Sequence, residues 1–165
     1  MKKNKKIRFL TDAAIIAALY VVLTYLTSLL GLASGAIQCR LSEALCILPV
    51  FTPAAIPGLF VGCIISNIVT GSSLLDVIFG SIATLLGAYV TYLISKKELS
   101  AFFYSLPTVF SNTLIVPLVL KFAYGFEGSL LFFVATVGAG EIISCTIFGT
   151  VLYCSLKKYS KYLFK

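Results

Sequence analysis

Glu43, Asp76 and Glu141 are carboxylates set in long apolar surroundings, and Gln38, Arg40, Asn67 and Asn112 are the polar side chains that accompany them. A carboxylate accepts paired hydrogen bonds, an amide both donates and accepts, and a guanidinium donates in a planar fork. Such a set suits recognition by hydrogen bonding and charge better than it suits bond breaking. The chain has no histidine, which removes Ser-His-Asp triads, HExxH zinc sites and histidine proton shuttles. It carries no Walker A sequence, so ATP hydrolysis would fall to a partner. We expect a chain that is not an enzyme and has no cofactor.

These side chains must be positioned by elements that live in lipid. The chain has 165 residues, of which 59% are hydrophobic and 12% charged, with a mean hydropathy of +1.04. Soluble domains are about 45–50% apolar and about 25% charged. Charge-poor runs of about 20 residues match a hydrocarbon core of about 30 Å. The expected class is an all-α integral membrane protein, one transmembrane domain over residues 1–165. Six helices are predicted at about 9–30, 37–50, 54–70, 74–94, 100–120 and 129–156, between basic tails at 1–8 and 157–165. The first is expected to be retained, because its apolar stretch exceeds the usual signal-peptide core of about 7–15 residues.

Residues 44–75 carry no formal charge; as one helix they would rise about 48 Å. Pro49, Pro53 and Pro57 break that run, since proline removes a backbone donor and clashes with the preceding turn. Two spans are expected, with a re-entrant hairpin as the alternative. The net charge of +7 is concentrated: Lys and Arg cluster in both tails and at Lys96–Lys97, leaving only Arg40 and Lys121 elsewhere. That asymmetry predicts a multi-pass protein of the cell membrane with both termini cytoplasmic, and argues for lipid headgroups rather than nucleic acid as the partner of the basic groups.

With this topology the polar residues share the outer half of the membrane. Glu43 opens the second helix, Asp76 the fourth, and Asn67 and Asn112 lie in the outer parts of the third and fifth. Glu141 sits mid-helix, about 20 Å of helix from Gly128 and about 24 Å from Lys157. Ionisable groups in a membrane cost roughly 2.5–3.5 kcal/mol on insertion scales and normally face a cavity or a partner. A polar pocket open to the exterior is therefore expected, lined by Glu43, Glu141, Asn112, Asn67, Gln38, Arg40 and Asp76, with "GLASGA" as a lid. Structural alternatives stand beside it: an Arg40–Glu43 pair at helical spacing, Asp76 as a helix-start charge, and Asn67 and Asn112 as interhelical glue.

Two further patterns bear on partners and packing. Ala13 and Ala17, and Ala14 and Ala18, form overlapping small-xxx-small spacings on the first helix, a face that another helix can approach closely. Internal packing and docking on a second membrane protein are both open. The five cysteines, Cys39, Cys46, Cys63, Cys145 and Cys154, form no CxxC pair and read as packing residues rather than as disulfides or a metal site.

The stretches "RLSEALCILPVFTPAAIPGLFVGCIISN" and "DVIFGSIATLLGAYVTYLI", within residues 37–94, resemble the QueT family, substrate-binding S components of energy-coupling factor (ECF) transporters for queuosine precursors. The resemblance implies a six-helix S-component bundle that captures substrate outside the cell and works with an EcfT-type coupling subunit and two cytoplasmic ATPases. It likens the N-terminal alanines to the AxxxA docking element. The implied substrate is a 7-deazaguanine, first of all 7-aminomethyl-7-deazaguanine, with queuine or the nitrile precursor as alternatives. Its N1–H and exocyclic amine would suit one carboxylate, its aminomethyl cation a second, and its carbonyl an amide or Arg40. Aromatic side chains could stack on the bicycle. A stand-alone ion-coupled carrier, an intramembrane enzyme using Glu141 or a cysteine, and a purely structural subunit are the competing readings.

Overall fold

A computed structural model describes residues 2–32, 39–125 and 127–160, and those residues form helices and short connections without strands. Six α-helices occur in chain order: α1 (Lys2–Leu29), α2 (Ala55–Val69), α3 (Leu74–Ile94), α4 (Ala101–Phe122), α5 (Leu130–Glu141) and α6 (Gly149–Lys157). Between α1 and α2 lies a 3-10 helix, Leu41–Val50, and between α5 and α6 a π-helical stretch, Ile142–Phe148. Among the described residues, four helices are long and apolar enough to cross a membrane: Asn4–Leu29, Leu74–Ile94, Ala101–Phe122 and Leu130–Lys157.

The two helices split by the prolines are shorter than the others. Ten residues of 3-10 helix rise about 20 Å, and the fifteen of α2 about 22 Å. The 3-10 helix is buried from Ser42 to Pro49, as an element apolar on every side must be. It lies at the centre of the bundle, against α1, α3, α4, α6 and the π stretch. Around it consecutive helices pack in order, α1 on α2, α2 on α3, α3 on α4 and α4 on α5.

Helix ends follow local chemistry. Gly31 and Gly71 adopt positive φ of 70° and 72°, which glycine reaches without a Cβ penalty. Each closes a Schellman turn, with Leu32 N donating to Thr27 O at 3.0 Å and Ser72 N to Asn67 O at 2.9 Å. Ser73 caps α3 through the Asp76 amide, and Ser129 caps α5 through that of Phe132. Pro107 and Pro117 lie inside α4 without ending it, as lipid-buried helices tolerate when neighbours satisfy the freed groups.

Close helix contacts need missing side chains. A Cβ on Gly58 would lie 2.7 Å from the Ala13 carbonyl oxygen, and one on Gly62 would lie 2.8 Å from Tyr20 Cβ and 3.1 Å from Ala17 Cα. Of the two alanine pairs, one is engaged inside the bundle. Ala13 and Ala17 are used in the α1–α2 contact, whereas Ala14 and Ala18 point outward. The bundle is apolar without and mixed within: Leu19, Ile78, Leu86, Phe102, Phe110 and Leu114 are exposed, while Thr24, Ser66, Asn67, Thr84, Thr91 and Thr108 are buried beside apolar residues such as Leu59, Leu120 and Phe133. That distribution is the one a hydrocarbon solvent selects.

Candidate functional site

The residues singled out for their chemistry come together from five elements. Glu43 stands in the first turn of the central 3-10 helix, Glu141 ends α5, Asn112 lies on α4, Asp76 in the first turn of α3 and Asn67 on α2, all buried. Arg40 precedes the 3-10 helix. Gln38 and residues 33–36 of the expected lid lie outside the described residues. Arg40, Glu43, Asp76, Asn112 and Glu141 border one cavity of about 20 Å³, with Cys63, Gly80, Thr84, Val116 and Val137 completing its wall. A space of this size holds about one water.

The site has two halves. In the deeper half, Glu43 accepts from the Tyr20 hydroxyl on one oxygen. Its other oxygen meets the Cys46 thiol at 3.2 Å and Asn112 Nδ2 at 3.4 Å. Glu141 accepts from the Cys145 thiol at 3.2 Å, and that thiol also lies 3.5 Å from the Glu43 carbonyl oxygen. One ligand atom each from Glu43, Glu141 and Cys145 lie within 4.8 Å of one another. The turn to π geometry directly after Glu141 is a local widening of the kind often found at functional sites.

In the rim half, Arg40 bridges helices. Its Nη1 donates to Asn67 Oδ1 at 3.1 Å, and its Nη2 lies 3.5 Å from Asp76 Oδ2. Asn67 Nδ2 turns to the Asp76 carbonyl oxygen at 3.4 Å. Tyr124, beyond the end of α4, donates to Asp76 Oδ2 at 3.2 Å and accepts from the Ser73 amide at 3.0 Å. Arg40, weighed as a partner of Glu43 at three-residue spacing, thus makes contacts across helices. Asp76 does open α3, but its carboxylate is held by Arg40 and Tyr124. Asn67 stands behind Arg40 and braces it, outside the cavity wall.

Sequence reasoning did not single out Tyr20, Tyr124, or the thiols as partners of the carboxylates. Signals existed. Tyr20 is three residues after Ala17 and seven after Ala13, on the helix stripe that faces α2. Cys46 follows Glu43 by three residues and Cys145 follows Glu141 by four, the spacings at which side chains meet on one helical face. The reading of the cysteines as packing alone is therefore incomplete: Cys46, Cys63 and Cys145 are buried and free, and two of them donate to the carboxylates.

Deep, convergent polar groups inside an apolar-coated bundle are what a carrier of a small polar molecule requires. The comparisons agree with that class. A family model described as QueT transporter matches residues 10–158. The queuosine precursor transporter QueT of Lactococcus lactis subsp. cremoris (strain MG1363) is 32% identical over 157 residues, covering 89% of this chain and 90% of that protein. No solved structure matches. With the family match running through nearly every helix, from within α1 to the end of α6, this chain belongs to the QueT transporter family.

Proposed function

We propose that this chain is the substrate-capture S component of an ECF-type importer and binds a queuosine precursor, 7-aminomethyl-7-deazaguanine, from outside the cell. The observation that carries the reading is the convergence of Glu43, Glu141 and Asn112 from three distant stretches on one buried polar cavity. A carboxylate in that place matches the paired N1–H and amine donors of a guanine-like edge. The second carboxylate offsets the aminomethyl cation, and Asn112 or Arg40 supplies a donor for the ring carbonyl. Ligand pockets occupy about 300 Å³ or more, against a cavity here of about 20 Å³. Binding therefore requires the helices to part, and the Arg40–Asp76–Tyr124 contacts are the ones that stand at the rim.

The rest of the assembly follows from the family resemblance and the charge pattern. The termini and the Lys96–Lys97 turn face the cytoplasm, in keeping with the positive-inside rule. The short helices Leu41–Val50 and Ala55–Val69 are read as two crossings, for six in all. An EcfT-type coupling subunit docks on the outward side of α1 at Ala14 and Ala18, and two cytoplasmic ATPases supply the energy. Calorimetric titration of the purified chain with 7-aminomethyl-7-deazaguanine tests the central reading. We expect saturable binding, weakened about 10-fold or more in Glu43→Gln and in Glu141→Gln, since charge-assisted bonds contribute about 1.5–3 kcal/mol each. Unchanged affinity in both variants would refute the site.

A further inference from the structure

Among the described residues that border the cavity, three carboxylates share one guanidinium. Four charged side chains border the cavity, Arg40, Glu43, Asp76 and Glu141, and Arg40 lies against Asp76 at 3.5 Å. Glu43 and Glu141 lie close together in a low-dielectric setting, where ionising both is costly and a cation between them is correspondingly favoured. Both carboxylates are met by thiols. We propose that Glu43, Glu141 and Cys145, with Cys46 beside them, form a binding site for a thiophilic divalent cation of the zinc class, Zn²⁺ or Cd²⁺.

Three observations support this. The ligand atoms of Glu43, Glu141 and Cys145 lie within 4.8 Å of one another, all on buried residues. Cys46 stands beside the group, its thiol 3.2 Å from Glu43 Oε2. A tetrahedral ion with bonds of about 2.0 Å to oxygen and about 2.3 Å to sulfur sets these ligands about 3.5 Å apart. The separations here, Cys145 Sγ to Glu141 Oε2 and Cys46 Sγ to Glu43 Oε2, are each 3.2 Å. The adjoining cavity of about 20 Å³ has room for one ion or one water.

The surroundings also resemble those of a built metal site. Tyr20 and Asn112 hold Glu43 by hydrogen bonds, the outer-shell support that fixes carboxylate ligands. Mixed oxygen and sulfur donors select borderline and soft ions over magnesium or calcium. On binding, the metal–sulfur bond forms as the Cys145 thiol proton is released to solvent, so uptake of the ion liberates at least one proton. The site uses the carboxylates assigned above to substrate, so ion and substrate exclude each other. Its case rests on ligand geometry and is independent of the substrate reading.

Titration of the full-length chain in detergent with Cd²⁺, under a thiol-free reductant, reads the site through thiolate-to-cadmium charge-transfer absorption. We expect a band saturating near one ion per chain, accompanied by proton release. It persists in Cys154→Ser, whose cysteine is exposed, and is lost or strongly reduced in Cys145→Ser. Glu141→Gln should weaken the affinity by about 10-fold or more. No saturable band in the unaltered chain, or a band that follows Cys154 and ignores Cys145, would overturn the proposal. Adding 7-aminomethyl-7-deazaguanine separates the two readings: displacement supports both, and a persistent band upholds the metal site while counting against the substrate.

Discussion

Replacing Tyr20 by phenylalanine deletes one oxygen and leaves the ring that packs α1 in the bundle. Tyr20 is 0% exposed, so water cannot take over the lost bond. Its hydroxyl donates to Glu43 Oε1, whereas the Cys46 thiol and the Asn112 amide both serve Oε2. A hydrogen bond to a charged group is worth about 1.5–3 kcal/mol net, and a buried acceptor left without a donor costs a similar amount. We therefore expect Tyr20→Phe to destabilise the folded chain by about 2 kcal/mol. Glu43 also loses the contact that orients it, so deazaguanine affinity should fall by about 10-fold, equivalent to about 1.4 kcal/mol. Thermal unfolding in detergent gives the first quantity and calorimetric titration the second. Tyr25→Phe, on a residue 47% exposed, controls for the loss of a hydroxyl from the same helix. If Tyr20→Phe behaves like Tyr25→Phe in both assays, Tyr20 does not hold Glu43 and the argument for the deeper half of the site fails.

Three other substitutions test how α1 is used. Gly62→Ala places a methyl 2.8 Å from Tyr20 Cβ and 3.1 Å from the Ala17 backbone; overpacking of this kind costs about 1–3 kcal/mol, and a melting midpoint equal to that of the unaltered chain would contradict the tight α1–α2 contact. Ala17, 8% exposed, and Ala18, exposed, separate packing from docking. Ala17→Leu should lower thermal stability by a comparable amount, whereas Ala18→Leu should leave stability and substrate binding intact while reducing co-purification with the coupling subunit. Full assembly of Ala18→Leu would remove that face of α1 from the interface.

Much of the architecture is legible along the chain because a bilayer imposes one-dimensional rules. Span length, charge-poor runs, proline breaks and the bias of Lys and Arg can all be read without knowing what touches what. The helices at 74–94 and 101–122 match their expected ranges to within two residues. Local geometry was less accessible. The segment ending at Pro49 forms a 3-10 helix, and the last long helix passes through a π stretch after Glu141; apolar composition alone does not distinguish these from α geometry. Facing was least accessible. In a soluble helix polarity marks the outside, but here lipid-facing and core-facing residues are both apolar, and the alanine spacings of α1 could not show which pair was buried.

Composition and charge placement by themselves determined that this is a membrane protein whose few carboxylates must be sheltered at depth, because hydrocarbon makes an unpartnered charge costly wherever it falls in the chain. Which groups shelter them was decided only by tertiary structure. Tyr20, Cys46, Asn112 and Cys145 reach Glu43 and Glu141 from four elements, and Arg40 reaches Asp76 on another helix. Those partnerships depend on helix rotation and crossing, quantities set by the packing of glycines against neighbouring backbones and not by the order of residues along any one span.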